Sequence, residues 1–302
     1  MKIINIDINK EYLLKENNKI NLCLGFFDGL HLGHLELINT ALKAGETAVM
    51  TFDVLPNFNS KNNINSDILT SLDDKKNLLE DIGVKYLYIL KMSKELLNLS
   101  KNQFIEKILK KINPQSIFVG EDYRFGYEAK GTPDYLKKYF DVHIVPLKQK
   151  NNRKISSRYI KELINEGKMD EIPNYLGRNY SINGKVIRGF ANGRKIDFPT
   201  ANIELNSPYV IPKIGVYMGC AIFLSMTYKA IISISNHPTI QELNKPIIEV
   251  HLINYNGDLY GQNIKVEFVS FMRNIQKFES LDELKNQLII DRDNAIKALK
   301  EK

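Results

Sequence analysis

The chain has 302 residues, 43% of them hydrophobic, which suffices for two ordinary domains. The formal net charge is +7, but the basic residues are mostly scattered lysines without a stripe, so they read as solvated charge and not as a nucleic-acid footprint. No apolar run approaches the roughly 18 residues of a membrane span, no leader pattern precedes the first domain, and Cys23 and Cys220 lie far apart in apolar contexts; the expectation is a cytoplasmic protein with buried free thiols and no membrane partner.

Ile3, Ile4, Ile6 and Ile8 suit a short strand. Ile20, Leu22, Cys23 and Leu24 read as a buried strand that stops at Gly25. The stretch Gly25-Phe26-Phe27-Asp28-Gly29-Leu30-His31-Leu32-Gly33-His34 follows, and then Leu35, Leu37, Ile38, Ala41 and Leu42 at helical spacing, for a helix at about 33–44. A strand, a glycine-bearing turn and a helix N-terminus present backbone N–H groups and the positive end of a helix dipole to an anion. Two imidazoles three residues apart add donors at the same spot, and the simplest ligand is the phosphate chain of a nucleotide. A surface histidine pair without a role and a metal site are the other readings; no cysteine or third histidine lies nearby to complete the latter.

Ala48–Phe52 is another buried strand, turning at 53–56 into an Asn-rich loop over 57–66. Ser71 opens a helix through Ile82, with Gly83 as its stop, and Lys85–Leu90 is a strand. Ser100 and Gln103 form a capping-box pattern ahead of Phe104, Ile105, Ile108 and Leu109. A strand at 116–119 breaks at 120–126, and a helix at 132–139 and a strand at Val142–Pro146 follow. This alternation predicts an α/β fold, a parallel sheet with helices on both faces, and ligands in the crevice at its carboxyl ends. The turns after Leu24, Phe52 and Val119 converge there. Ser156 and Ser157, flanked by Lys154 and Lys161, either cap the helix carrying Ile160, Leu163 and Ile164 or donate to a phosphate. A short helical piece, Met169–Leu176, ends at Gly177, where the domain boundary is placed: 1–177 and 178–302.

Beyond it the period changes to two. Tyr180–Ile187, Gly215–Phe223, Tyr228–Ser235, Ile247–Ile253 and Ile264–Phe271 read as strands, with a glycine-bearing basic loop at 189–197. Their spacing, and turns such as Asn256-Gly257, argue an antiparallel barrel or sandwich. Ser280 begins a terminal helix with Leu284, Leu288, Ile289, Ala295, Ile296 and Leu299 on its apolar face. The strand at 247–253 puts Glu249 and His251 on one face, and Thr200 and Asn202 are two apart on an extended segment. Taken alone, a strand glutamate reads as solvated and Pro199-Thr200 as a turn.

Together the motifs resemble the bacterial bifunctional riboflavin kinase/FAD synthetases over nearly the whole chain. The first module carries Gly-Phe-Phe-Asp-Gly-x-His-x-Gly-His, Thr51-Phe52-Asp53, Val119-Gly120-Glu121-Asp122-Tyr123-x-Phe125-Gly126 and Ile155-Ser156-Ser157. The second carries Gly193-Arg194-x-Ile196-x-Phe198-Pro199-Thr200-Ala201-Asn202, Pro238-Thr239, Glu249-Val250-His251 and Leu259-Tyr260-Gly261. The resemblance implies a Rossmann-like nucleotidyltransferase domain that adenylates FMN to FAD, and a riboflavin-kinase-type barrel that makes FMN. It implies ATP and Mg²⁺ as co-substrate and cofactor, small-molecule partners (riboflavin, FMN, FAD, ATP) and not nucleic acid, and a monomer or weak homo-oligomer. By residue, it implies Glu249 as kinase base, and Thr200 and Asn202 at Mg²⁺ and phosphate with Gly189, Gly193, Arg194 and Lys195. It implies His31 and His34 in adenylyl transfer, with ATP also at Gly25, Phe26, Asp28, Gly33, Asp122, Ser156, Ser157 and Lys161. Phe125 and Arg273 fall on the flavin side. The chain departs from the family pattern at Val54-Leu55-Pro56 (usually Pro-His-Pro), Arg158 (usually a small hydroxyl), Lys161 (usually Arg) and Asp197 (usually Gly).

Overall fold

Six short strands pair in parallel in the computed structural model, which describes residues 1–10, 19–54, 67–150, 152–188, 198–236 and 246–299. They are β1 (Lys2–Ile6), β2 (Asn21–Leu24), β3 (Thr47–Phe52), β4 (Tyr86–Leu90), β5 (Ser116–Gly120) and β6 (Val142–Val145), in the order β1-β4-β3-β2-β5-β6. Alternate residues of the central strands feed two apolar clusters. Leu22, Ala48, Met50, Ile117 and Val119 belong to one, and Cys23, Val49, Leu87, Ile89 and Phe118 to the other. This two-sided burial is what a parallel sheet covered on both faces requires. The chain runs one way from β2 to β3 and the other way from β5 to β6, so the topological switch lies between β2 and β5.

Helix α1 (Leu32–Ala44) leaves the turn after β2. Ser71 caps α2 (Leu72–Asp81) by accepting from the Asp74 N–H. After α3 (Lys94–Leu97), α4 (Lys101–Phe104) starts with the expected reciprocal capping box of Ser100 and Gln103. It runs through a π-helical stretch, Ile105–Leu109, into α5 (Lys110–Ile112). The expected helix at 132–139 is only α6 (Pro133–Leu136). A hairpin of β7 (Gln149–Lys150) and β8 (Arg153–Lys154), which no apolar pattern announces, precedes α7 (Ser157–Glu166).

Contacts divide the chain into two units, Met1–Ser157 and Arg158–Lys302. The second opens with the rest of α7 and with α8 (Pro173–Leu176), which Gly177 ends in a left-handed conformation at φ 76°. Strands β9 (Tyr180–Ile187), β10 (Ala201–Leu205), β11 (Gly215–Phe223), β12 (Met226–Ser235), β13 (Ile247–Leu252) and β14 (Asn263–Arg273) close an antiparallel barrel in the order β10-β13-β12-β11-β14-β9. Closure decides the barrel-or-sandwich alternative and leaves no unpaired edge. Ile182, Val186, Ile248, Val250, Val266 and Phe268 are buried at alternate positions. At Gly219 an added Cβ would lie 2.0 Å from the Glu267 carbonyl oxygen, so β11 and β14 can approach this closely only over a glycine. Helix α9 (Leu281–Ala298) is capped by Ser280 and packs Ala295 and Leu299 against Val216, Ile231 and Ile253. Ile296, expected on its apolar face, is 39% exposed.

Candidate functional site

In the first unit, β2 delivers Gly25 into a turn with three left-handed residues: Phe27 (φ 56°), Gly29 (φ 83°) and Leu30 (φ 42°). For the two residues with side chains this costs on the order of 1–3 kcal/mol each, so the surroundings must hold the turn. The Thr51 hydroxyl donates to the Phe26 carbonyl at 2.8 Å. The Lys75 ammonium donates to the same carbonyl at 2.6 Å and to the Thr51 Oγ1 at 3.0 Å. Buried Asp28 accepts from the Leu69 N–H at 2.8 Å, and its own carbonyl accepts from the Ser157 hydroxyl at 2.9 Å. Ser157 therefore reaches the turn itself.

His31 caps α1, its Nδ1 accepting from the His34 N–H at 3.2 Å. This leaves the proton of the neutral ring on Nε2. The two imidazoles stack with centroids 3.5 Å apart. Gly33 makes room for this: a Cβ there would lie 3.2 Å from the His31 ring. Burial, and then charge interactions with His31 and Lys75, hold the His34 pKa well below the usual imidazole value. His34 is thus neutral at pH 7, and its buried Nδ1 has no hydrogen-bond partner among the described residues. An unsatisfied polar atom at a helix N-terminus is a place for a ligand.

A cavity of about 380 Å³ opens at this point, within the range of small-molecule sites. Its lining includes Gly25, Phe26, His31, Gly33, His34, Ser156 and Ser157, together with the apolar and aromatic side chains of Phe52, Leu96, Phe104, Tyr123 and Phe125. Asp122 and Lys154 also line it and pair with each other at 2.6 Å. Asp28 lies beneath the turn, buried, and Lys161 is on α7 in the second unit.

In the second unit, strand register sets Glu249 opposite Asn202 of β10 and Ser233 of β12. Glu249 and His251 alternate with the buried Ile248, Val250 and Leu252, and so share the expected face. Burial raises the Glu249 pKa, and a hydrogen bond from the Asn202 side chain works against the rise. The amide nitrogen is the donor to a carboxylate, which leaves the Asn202 Oδ1 for another partner. His251 Nδ1 lies 2.9 Å from the Pro199 carbonyl oxygen, an acceptor, so Nδ1 carries the proton. The same ring lies 5.1 Å from that of Phe198, over which the Arg292 guanidinium sits at 5.9 Å. Pro199, Thr200 and Tyr260 line a small cavity of about 50 Å³. Gly189, Gly193, Arg194, Lys195 and Asp197, with Leu55 and Pro238-Thr239, lie outside the described residues.

Arg273 lines a separate cavity of about 540 Å³ with Met218, Met272, Gln287 and Asn294. Its guanidinium is held by Asp291 of α9, with Nη2 at 2.6 Å from one carboxylate oxygen. Among the described residues no group of three or more His, Cys, Asp or Glu side chains is placed to hold a metal ion.

Residues 13–159 match the family model for FAD synthetase, and residues 176–299 that for riboflavin kinase. The bifunctional riboflavin kinase/FMN adenylyltransferase of Bacillus subtilis is 35% identical over 98% of each chain. This chain belongs to that family. Its Listeria monocytogenes member is 34% identical over 90% of this chain and 89% of its own. A Streptococcus pneumoniae crystal structure described as a macrolide-efflux protein is similar with a TM-score of 0.88 and 30% identity, covering 97% of this chain and 98% of that one. Among the described residues of this riboflavin kinase/FMN adenylyltransferase family member, no helix is long and apolar enough to cross a membrane.

Sequence reasoning missed Lys75, Asp291 and Gln287. Lys75 follows Asp73 and Asp74 and precedes Lys76, a run that reads as a solvated first turn, yet its side chain is buried under the strained turn. Asp291 carried one available signal: it stands between Leu288 and Ala295, on the side of α9 that faces the barrel.

Proposed function

We infer that the chain phosphorylates riboflavin to FMN with ATP and then adenylates FMN to FAD with a second ATP, releasing pyrophosphate. It is an enzyme with both activities, as its two domains and full-length relatives carry them, and ATP is the co-substrate of each. The observation that carries the site assignment is the buried His34 Nδ1 at the start of α1, without a hydrogen-bond partner among the described residues, in a cavity also lined by Phe52, Phe104, Tyr123 and Phe125. Anion donors and flat aromatic rings in one cavity suit FMN and ATP.

In the first unit we place the ATP phosphates at the N–H groups of the Gly25–Gly33 turn with His31, His34, Ser156 and Ser157. Asp28 braces the turn, Asp122 takes an outer position, and Phe125 meets the flavin. An FMN phosphate oxygen attacks the α-phosphorus of ATP, the bond to the bridging oxygen breaks, and pyrophosphate leaves. Neutral imidazole donors and backbone N–H groups stabilise the charge that develops, and no covalent enzyme intermediate is needed.

In the second unit Glu249 takes the proton of the ribityl 5′-hydroxyl as its oxygen attacks the γ-phosphorus, and ADP leaves. The Asn202 bond favours the ionised form that a base requires, against the larger effect of burial. The Thr200 hydroxyl and the free Asn202 Oδ1 are hard oxygen donors, a set that fits Mg²⁺, which keeps waters and phosphate oxygens as its other ligands. Bound there, Mg²⁺ supplies charge neutralisation on the phosphates. Gly189, Gly193, Arg194 and Lys195 complete the phosphate site and Arg273 serves the flavin side. The functional boundary is placed at residue 177. We further propose a cytoplasmic monomer or weak homo-oligomer that handles small molecules and not nucleic acid; the buried free thiols of Cys23 and Cys220 support a reducing compartment.

Incubation with riboflavin, ATP and Mg²⁺, with products separated by chromatography, tests this reading. FMN followed by FAD is expected. FMN with no FAD removes the adenylyltransferase, and neither product removes both activities.

A further inference from the structure

Lys75 is the one buried lysine among the described residues. It enters from α2, and its stem and ammonium lie against the phosphate turn. Nζ donates to the Phe26 carbonyl at 2.6 Å and to the Thr51 Oγ1 at 3.0 Å, and sits 4.1 Å from the centre of the Phe26 ring. No helix cap or surface ion pair explains a cation there, and burying one is costly unless it is paired. Among the described residues the opposite charge acting on it comes from Asp28, within the same turn.

These contacts fall at one place. The Phe26 carbonyl is the last backbone acceptor before Phe27 turns left-handed. Two donors, Thr51 and Lys75, converge on it and hold it down. With this carbonyl turned into the protein, the N–H side of the following peptides and the His31–His34 pair are left to face an anion. We propose that Lys75 is a positioning residue for adenylyl transfer: its buried ammonium locks the Phe26 carbonyl and thereby sets the turn that receives the ATP phosphates. This rests on the assignment of adenylyl transfer to the first unit.

The same burial makes the lock pH-sensitive. Desolvation lowers the Lys75 pKa to about 8, with Asp28 opposing the fall. The groups that face it are Asp28 in the turn, His34 of α1 through its charge interaction, and the Thr51 hydroxyl of β3. Below about pH 8 the ammonium is charged and the lock holds; above it the charge is lost and the lock weakens.

The test measures FMN-to-FAD conversion by wild type, Lys75→Met and Thr51→Val across pH 6.5–9.5, with riboflavin phosphorylation as an internal control on the same samples. Wild-type kcat/KM for adenylyl transfer is expected to fall on the alkaline side of about pH 8. Lys75→Met should lose about 100-fold in kcat/KM and lack that alkaline limb, with FMN formation retained. Thr51→Val removes the hydroxyl that receives Nζ, so its limb should move to lower pH. A Lys75 that only filled the core would change the melting temperature and leave the limb in place. If Lys75→Met does not fold, the Thr51→Val limb decides: a shift supports the lock and an unshifted limb overturns it. Wild-type-like conversion by a folded Lys75→Met overturns this inference alone, whereas a wild type that makes no FAD from FMN overturns the adenylyltransferase assignment and this inference with it.

Discussion

Asp291 of the terminal helix receives Arg273 of β14 on both carboxylate oxygens, with Nε 3.1 Å from each and Nη2 at 2.6 Å from one. Gln287, one turn earlier on α9, adds a bond at 2.9 Å. The Asp291 side chain is 3% exposed and that of Arg273 17%, so the pair ties the end of the barrel to its covering helix from within. Removing one partner strands a buried charge, which costs about 3–5 kcal/mol. Asp291→Ala should lower the melting temperature of the second unit by calorimetry and raise the KM for riboflavin, because Arg273 loses its fixed orientation. An unchanged KM in a folded variant would separate Arg273 from the flavin.

Glu249→Gln keeps the shape of the side chain opposite Asn202 and removes its basicity. FMN formation should fall by about 10²- to 10⁴-fold, the usual share of a general base. FMN-to-FAD conversion should continue. Because burial raises the Glu249 pKa, wild-type kinase kcat/KM should rise with pH along an acid limb lying above the ordinary carboxylate range. The Gln variant should lack that limb in a pH-rate profile.

The neutral state of His34 has a consequence for stability. Its folded pKa lies well below the ordinary imidazole value of about 6.5. Below about pH 6.5 the unfolded chain therefore takes up a proton that the folded chain refuses. The first unit should lose stability as pH falls through this region, and His34→Gln should lose less, by denaturant titration at about pH 7 and pH 5. NMR should find His34 unprotonated near pH 6, and adenylyl transfer should show no limb from it at neutral pH.

Gly33→Ala separates stability from chemistry. Alanine is the better helix former by about 1 kcal/mol, which offsets the roughly 1 kcal/mol lost with the His31 cap. The new Cβ, however, meets the His31 ring at 3.2 Å and pushes it from the His34 N–H. Adenylyl transfer should drop about 10- to 100-fold with unchanged melting and unchanged FMN formation.

The sheet was legible because its strands are short apolar runs, each closed by a glycine or polar turn, and the barrel because Tyr180–Ile187 and Ile247–Leu252 alternate cleanly. The hairpin at Gln149–Lys154 was not, since its four strand residues are all polar and only backbone pairing defines it. The turn at residues 25–34 could be found from its glycine and histidine spacing. What holds it could not: Thr51, Lys75, Leu69 and Ser157 arrive from four separate parts of the chain, and each reads locally as an ordinary strand, helix or cap residue. Arg273 and Asp291 likewise meet across a turn and a helix, by a fit that no periodicity carries.

The barrel closes by pairing its first strand, β9, with its last, β14: Tyr180 lies opposite Phe268 and Asn263 opposite Lys185. The six-stranded sheet, by contrast, is complete once Val145 has been made. At ribosomal rates of about 5–20 residues per second, β9 waits on the order of seconds for its partner strand to emerge. The nascent chain thus matures in the reverse of the order in which it uses its substrates: the half that consumes FMN can form while the half that makes FMN is still an open ribbon.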